Sequence, residues 1–251
     1  MQEVLTRKEK YLLENAQYRK FENLHHRRVA GKYIGDVIYG ANDGIITTFA
    51  VIAGASGASL APVVVVILGF ANLLADGISM GASNYLGKRS EHDYAKAQRE
   101  KEEWEIDHLK EIEVEEVREI FEKKGFNGKD LERAVEIVTS DRKVWLDTMM
   151  RDELHIYDEG GENPLLHGFA TFLSFAVFGL IPLLPYLVPS LDNKFLLSAL
   201  LGILTLFLVG ASRSNITTLG WIRGGFEMLT VGSIAAVVAF VIGGFIEKLV
   251  I

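Results

Sequence analysis

Cysteine is missing from this sequence, so neither disulfide bonds nor thiolate metal sites can form, and the redox compartment is left open. A concentrated basic patch is also missing, which removes nucleic acid as a partner. No apolar leader opens the chain: its first 30 residues are charged throughout, unlike a cleavable secretory signal. Lysine and arginine are absent from the first two long apolar stretches, so the acids inside them have no basic neighbour in the same stretch.

What the chain does have is hydrophobicity in blocks. Hydrophobic residues make up 49% of the 251, and length alone would suggest one or two ordinary domains. They are gathered instead into five stretches, at about 37 to 58, 61 to 86, 165 to 188, 195 to 212 and 228 to 246. Each is close to the roughly 17 to 25 residues a helix needs to cross a hydrocarbon core of about 30 Å. The expected fold is therefore an all-α membrane protein with five transmembrane helices. Residues 37–87 carry helices 1 and 2, residues 164–251 carry helices 3 to 5, and a charged segment, 88–163, lies between. Residues 1–36 form an N-terminal segment in which Tyr11, Leu12, Tyr18, Phe21 and Leu24 alternate with charges, as in an amphipathic helix at a membrane surface.

Charge is as uneven as hydropathy. Residues 88–163 hold 23 Asp and Glu against 14 Lys and Arg, a net of −9, while the rest of the chain is slightly basic and the whole is −7. An acidic segment of this kind suits a metal cation as partner. Eight Lys and Arg fall in residues 1–36 and 14 in the central segment, whereas the loop SGASLAP between the first two stretches has none. The positive-inside rule then places the N-terminus and the central segment in the cytoplasm.

Ionisable residues within a span cost about 2.5 to 3.5 kcal/mol on insertion scales and mark pathways or bundle interiors. Asp43 and Asp76 are such residues. At 3.6 residues per turn, Gly40, Asp43, Gly44 and Thr47 share one face of the first span. In the second, Asn72, Asp76, Ser79, Met80, Ser83 and Gly87 recur at spacings of three and four. Oxygen ligands with one thioether suit a borderline transition ion better than Ca²⁺ or Mg²⁺. The small and polar residues of these stripes serve equally well as glue between helices. Pro182 and Pro185 are expected to kink or end the third span.

The central segment reads as two helical elements that pack on one another, the first ending at Gly125 and the second running over about 128 to 157. Glu102 with Glu105, and Glu113 with Glu116, are i,i+3 pairs. On one unbroken helix Glu105 and Glu113 would stand about 12 Å apart along the axis. A shared site therefore needs a break near 109 to 112. Met149, Met150 and Glu153 add two thioethers and a carboxylate on adjoining faces of the last helix. Glutamates mixed with Lys and Arg also make a solvated helix face, and paired methionines also fill cores. The metal reading comes from finding both ligand types in one small segment joined to a membrane bundle with its own acids.

Five separated motifs carry a family resemblance. They are YGANDGIITTFAVIAGASGA, ADGISMGASNYL, WLDTMMRDEL, NPLLHGFATFLSFAVFGLIPLLPY and the SRS of residues 212–214. In this order and spacing, over about residues 20 to 250, the chain resembles the vacuolar iron transporter family. The resemblance implies a homodimer of five-span protomers with a three-helix cytoplasmic metal-binding domain between helices two and three. It implies export of Fe²⁺, often with Mn²⁺, from the cytosol in exchange for protons. It assigns the transport pathway to Asp43 and Met80, with Asp76 beside them, and the metal ligands to Glu102, Glu105, Glu113, Glu116, Met149, Met150 and Glu153. No catalytic cofactor is expected, and Co²⁺ and Zn²⁺ join Fe²⁺ and Mn²⁺ as ions such ligands could take. The chain departs from the pattern at Asn84, where many members have a carboxylate, and at Asp76, where many have a small residue; Asp76 is the candidate replacement. The membrane is expected to be a prokaryotic cell membrane, favoured by the missing targeting signal, or a vacuolar one.

The alternative is a membrane-anchored ferritin-like di-iron oxidase. Glu105 and His108 have Glu-x-x-His spacing, and Asp152 with His155 echoes it. Against it, such sites draw on four helices with two full motifs. His25, His26, His108, His155 and His167 are otherwise given a surface or interfacial role.

Overall fold

The computed structural model describes residues 28–157, 163–215 and 219–250. The N-terminal segment expected to be amphipathic lies, up to residue 27, outside the described residues. Among the described residues there are helices and no strands. The helices are α1 (Arg28–Gly57), α2 (Pro62–His108), α3 (Lys110–Lys123), α4 (Gly128–Ser140), α5 (Arg142–Thr148), α6 (Pro164–Leu187), α7 (Lys194–Ser212) and α8 (Trp221–Val250). A π-helical turn, Met149–Glu153, follows α5, and a 3₁₀ turn, Arg213–Asn215, follows α7.

Five of these helices, α1, α2, α6, α7 and α8, are long and apolar enough to cross a membrane. The chain forms two compact units, one of residues 1–84 and 165–251 and the other of residues 85–164. In the first unit the core gathers around Phe175, Leu183, Ile45, Ile52 and Leu206, all essentially inaccessible. Lipid offers helices little hydrophobic reason to associate, so close backbone approach has to supply the contact. Gly44 provides it between α1 and α6: a Cβ there would fall 2.3 Å from the Phe175 carbonyl oxygen. Gly243 does the same between α8 and α1, where a Cβ would lie 2.1 Å from the carbonyl oxygen of Gly54. Ser174 Oγ donates to the Val37 carbonyl at 2.6 Å and reinforces the α1–α6 seam. Pro182 and Pro185 neither end α6 nor stand at its surface: both are buried, and the helix continues to Leu187.

The second unit is built on amphipathic helices. Leu131, Val135 and Val138 recur at i, i+4 and i+7 on α4 and meet Val117 and Ile120 of α3, Ile106 of α2, and Trp145, Leu146, Met149 and Met150. The element expected over 128 to 157 is two helices, because Asp141 takes an extended conformation and its carboxylate accepts from the backbone N–H groups of Lys143 and Val144. That is N-capping, which starts a new helix at Arg142. The unit thus has four helical segments and a π turn among its described residues.

Candidate metal centre and membrane carboxylates

The carboxylates of the second unit converge because α2 stops. Leu109, with φ −122° and ψ 31°, leaves the helical path, and α3 begins at Lys110. The Leu109 N–H still donates to the Glu105 carbonyl at 2.7 Å, while its own carbonyl accepts from Ile112 and Glu113. This one-residue break falls where a shared glutamate site required it. Glu102, Glu105 and Glu113 each present an oxygen within 4.8 Å of the others. Glu102 is 2% exposed and Glu113 3%. One carboxylate oxygen of Glu113 is buried with no hydrogen-bond partner, an arrangement that is costly unless a proton or cation is supplied.

Burial first, and then the neighbouring glutamates, push the carboxyls of Glu102 and Glu113 up to about 7. For Glu102 the strongest neighbour is Glu153; for Glu113 it is Glu116. Glu116 and Glu153 are themselves shifted upward, mainly by burial, and each feels the charge of Glu105. Lys101 bonds Glu105 at 2.9 Å and offsets part of the negative charge. Five of the expected ligands therefore form one electrostatic cluster. Glu116 and Glu153 also line a cleft of about 490 Å³ with Lys123, Lys124, Asp152 and His155.

Met149 and Met150 belong to the apolar cluster that includes Ile106 and Val117, the chain neighbours of Glu105 and Glu116. The π turn lets consecutive methionines both be buried, with Leu154 N–H donating to the Met149 carbonyl at 3.1 Å, one residue wider than in an α-helix. His108 does not join the carboxylates as a Glu-x-x-His site would require. Its ring stacks on Trp104 with centroids 4.4 Å apart, and its Nδ1 is 2.8 Å from the Trp104 carbonyl. Asp152 is held by Lys124 and Arg151.

In the membrane unit, Asp43 is half-buried and close enough to Asp76 for the two charges to interact. Asp76 accepts a hydrogen bond from the Asn72 amide one turn earlier. The expected single stripe on α2 is divided. Asp76, Ser79 and Ser83 are exposed on the surface of the single chain, whereas Met80 turns toward the core around Phe175. Asn84 lies on an inner side too: its amide donates to Asp36 Oδ1 at 2.7 Å, Thr171 Oγ1 at 2.7 Å and the His167 carbonyl at 3.2 Å. Lys88 and Arg89, which follow the apolar part of α2, pair with Glu91 and Asp93 along their own helix.

Two residues escaped the sequence reading. His167, given a surface or interfacial role, is 2% exposed, and its Nδ1 stands 2.6 Å from Asp36 Oδ2. The available signal was position: Asp36 precedes Asp43 by seven residues, which is two turns on the same face, and His167 sits in an otherwise apolar span.

Fold and sites define an integral membrane protein with five apolar helices and, between the second and third, a helical unit whose buried glutamates converge as metal ligands do. The VIT family profile matches residues 34–244. Similar proteins include the vacuolar iron transporter of Toxoplasma gondii, 33% identical over 93% of this chain and 82% of the relative. That of Plasmodium falciparum is 36% identical over 82% of this chain and 80% of its own. Vacuolar iron transporter 1 of Arabidopsis thaliana is 32% identical over 89% of this chain and 91% of its own. The chain belongs to the VIT family, a family of transporters and not of enzymes.

The glutamate cluster sets a pH dependence whose sign can be worked out. Glu102 and Glu113 bind protons more tightly in the folded protein than in the unfolded chain, so their contribution to stability is present below the ordinary glutamate range and is lost as pH rises through about 7. Without metal, the thermal midpoint of the full-length protein in detergent is expected to fall between pH 5 and pH 8. A divalent ion should restore it at pH 8, because binding requires the deprotonated ligands. Glu102→Gln with Glu113→Gln should raise the metal-free midpoint at pH 8 and remove the response to metal. A pH-independent midpoint in the parent protein would contradict the cluster's electrostatics.

Proposed function

We propose that the protein carries Fe²⁺, and with it Mn²⁺, out of the cytosol in exchange for protons. The observation that carries this reading is the convergence of Glu102, Glu105 and Glu113 in a chain whose membrane unit holds a second pair of acids, Asp43 and Asp76. The curated relatives are named as iron transporters, which makes iron the first ion to consider. In this reading the 85–164 unit is cytoplasmic and gathers the ion through Glu102, Glu105, Glu113, Glu116, Glu153, Met149 and Met150. Asp43, Asp76 and Met80 then pass it across. A carboxylate must shed its proton to bind metal, so ion uptake and proton release are chemically coupled.

The working form in this reading is a homodimer. A single chain leaves Asp76, Ser79 and Ser83 exposed on a membrane helix beside Leu74, Ile78 and Leu86. A carboxylate facing lipid costs several kcal/mol, whereas a second copy packed on this face would enclose it. Because the chain has no cysteine, Ser79→Cys and Ser83→Cys are clean single-site probes. Each should give a covalently linked pair on mild oxidation in membranes, and a cysteine in place of Val63 or Leu200 should not; absence of linkage at both serine positions would count against the dimer.

The transport claim is tested by Fe²⁺ flux into proteoliposomes under anaerobic conditions, with and without a pH gradient. Asp43→Ala is expected to lower flux at least about a hundredfold, while the folded protein and metal binding by the glutamate cluster persist. Full flux in that variant would remove Asp43 from the pathway.

A further inference from the structure

A cation belonging to the chain itself already stands at the glutamate triad. Lys101 precedes Glu105 by four residues on α2, so one helical turn carries its ammonium to that carboxylate. Nζ donates to Glu105 Oε2 at 2.9 Å, with the lysine side chain 58% exposed and the glutamate side chain 21%. The lysine thus meets the triad on its solvent side, whereas Glu102 and Glu113 are buried. Its charge reaches further than its hydrogen bond: burial and neighbouring acids push the carboxyls of Glu102, Glu116 and Glu153 up, and Lys101 pulls each of them back. Other basic side chains of this unit pair with acids outside the triad, Arg99 with Asp147, Arg118 with Glu132 and Lys124 with Asp152.

A lysine so placed either clamps Glu105 in position for the metal or stands in the metal's way, and the two roles have opposite signs. A clamp would have to be rigid. Lys101 is a flexible, mostly exposed side chain in an i,i+4 pair, which holds a partner only weakly. Nor does it complete the triad, since one buried oxygen of Glu113 has no hydrogen-bond partner and still calls for a cation. A divalent ion drawn in by Glu102, Glu105 and Glu113 would therefore come to rest beside an ammonium bonded to the same cluster. Like charges at that range repel, and the exposed stem gives the ammonium a way out into water.

We propose that Lys101 is a tethered competitor of the metal ion: it bonds Glu105, is turned out to solvent by an incoming divalent ion, and by its charge keeps that ion loosely enough held to be passed on. This role rests on the triad being the metal centre and deepens that reading by naming a residue that sets the centre's affinity without being a ligand.

The test is calorimetric titration of full-length protein in detergent with Mn²⁺ at pH 8.5 under anaerobic conditions, above the range in which Glu102 and Glu113 take up protons. Lys101→Met keeps the stem and removes the charge. At about 20 mM salt it is expected to bind Mn²⁺ about tenfold more tightly than the parent. At about 500 mM salt, where screening reaches within a few ångströms, the gain should shrink to less than about threefold. Lys101→Gln carries the same test should the methionine variant fold poorly. Unchanged or weaker binding in these variants at low salt overturns the proposal, because a clamp would lose affinity on removal. A gain that is undiminished at high salt overturns it as well, since the lysine would then not act through its charge. Glu102→Gln with Glu113→Gln separates the two readings: parent-like Mn²⁺ binding in that double variant removes the triad as the metal centre, and the competitor role fails with it.

Discussion

Three carboxylates with oxygens within 4.8 Å of one another, two of them almost inaccessible to water, repel one another when ionised, and a proton or a cation among them relieves that repulsion. That constraint organises the 85–164 unit. Its apolar cluster holds α3 against the end of α2, and the break at Leu109 turns a linear glutamate run into a convergent one. Lys101 moderates the cluster without neutralising it, since it bonds Glu105 alone among the three.

The membrane unit meets a related problem in a different way. Asp43 sits on a face of α1 kept free of bulk by Gly40 and Gly44, and Asp76 brings a second acid near it from α2. Asp76 is steadied by Asn72 and otherwise open on the single chain, so the unit as one copy leaves an acid at a surface where lipid would not tolerate it. Asp36 and His167, by contrast, are buried and bonded to one another.

Much of this was legible in the sequence. The five apolar runs locate the membrane helices because hydrocarbon thickness dictates their length, although charged residues extend α1, α2 and α8 well past the apolar limits. The break at Leu109 lies in the stretch 109 to 112, where spacing requires one if Glu105 and Glu113 are to share a site. Asp141 was harder: an N-cap inside a periodic pattern looks like a surface acid until its backbone turns extended. The π turn at Met149–Glu153 has no local signature, because widening by one residue is decided by packing around the two methionines. The partners of Asn84 and His167 are hidden for a common reason. Helical spacing tells which residues share a face but not which helix that face meets, so nothing in the sequence pairs Asn84 or His167 with Asp36 of α1.

The central claim is that the Glu102, Glu105 and Glu113 cluster stores protons that a divalent ion displaces. Isothermal titration of the full-length protein with Mn²⁺, run at pH 6.5 in two buffers of different ionisation enthalpy, counts those protons directly. Net proton release at pH 6.5 that fades above pH 8, and is lost when Glu102 and Glu113 are both changed to Gln, is the predicted result. Tight binding with no proton release at pH 6.5 would contradict the account.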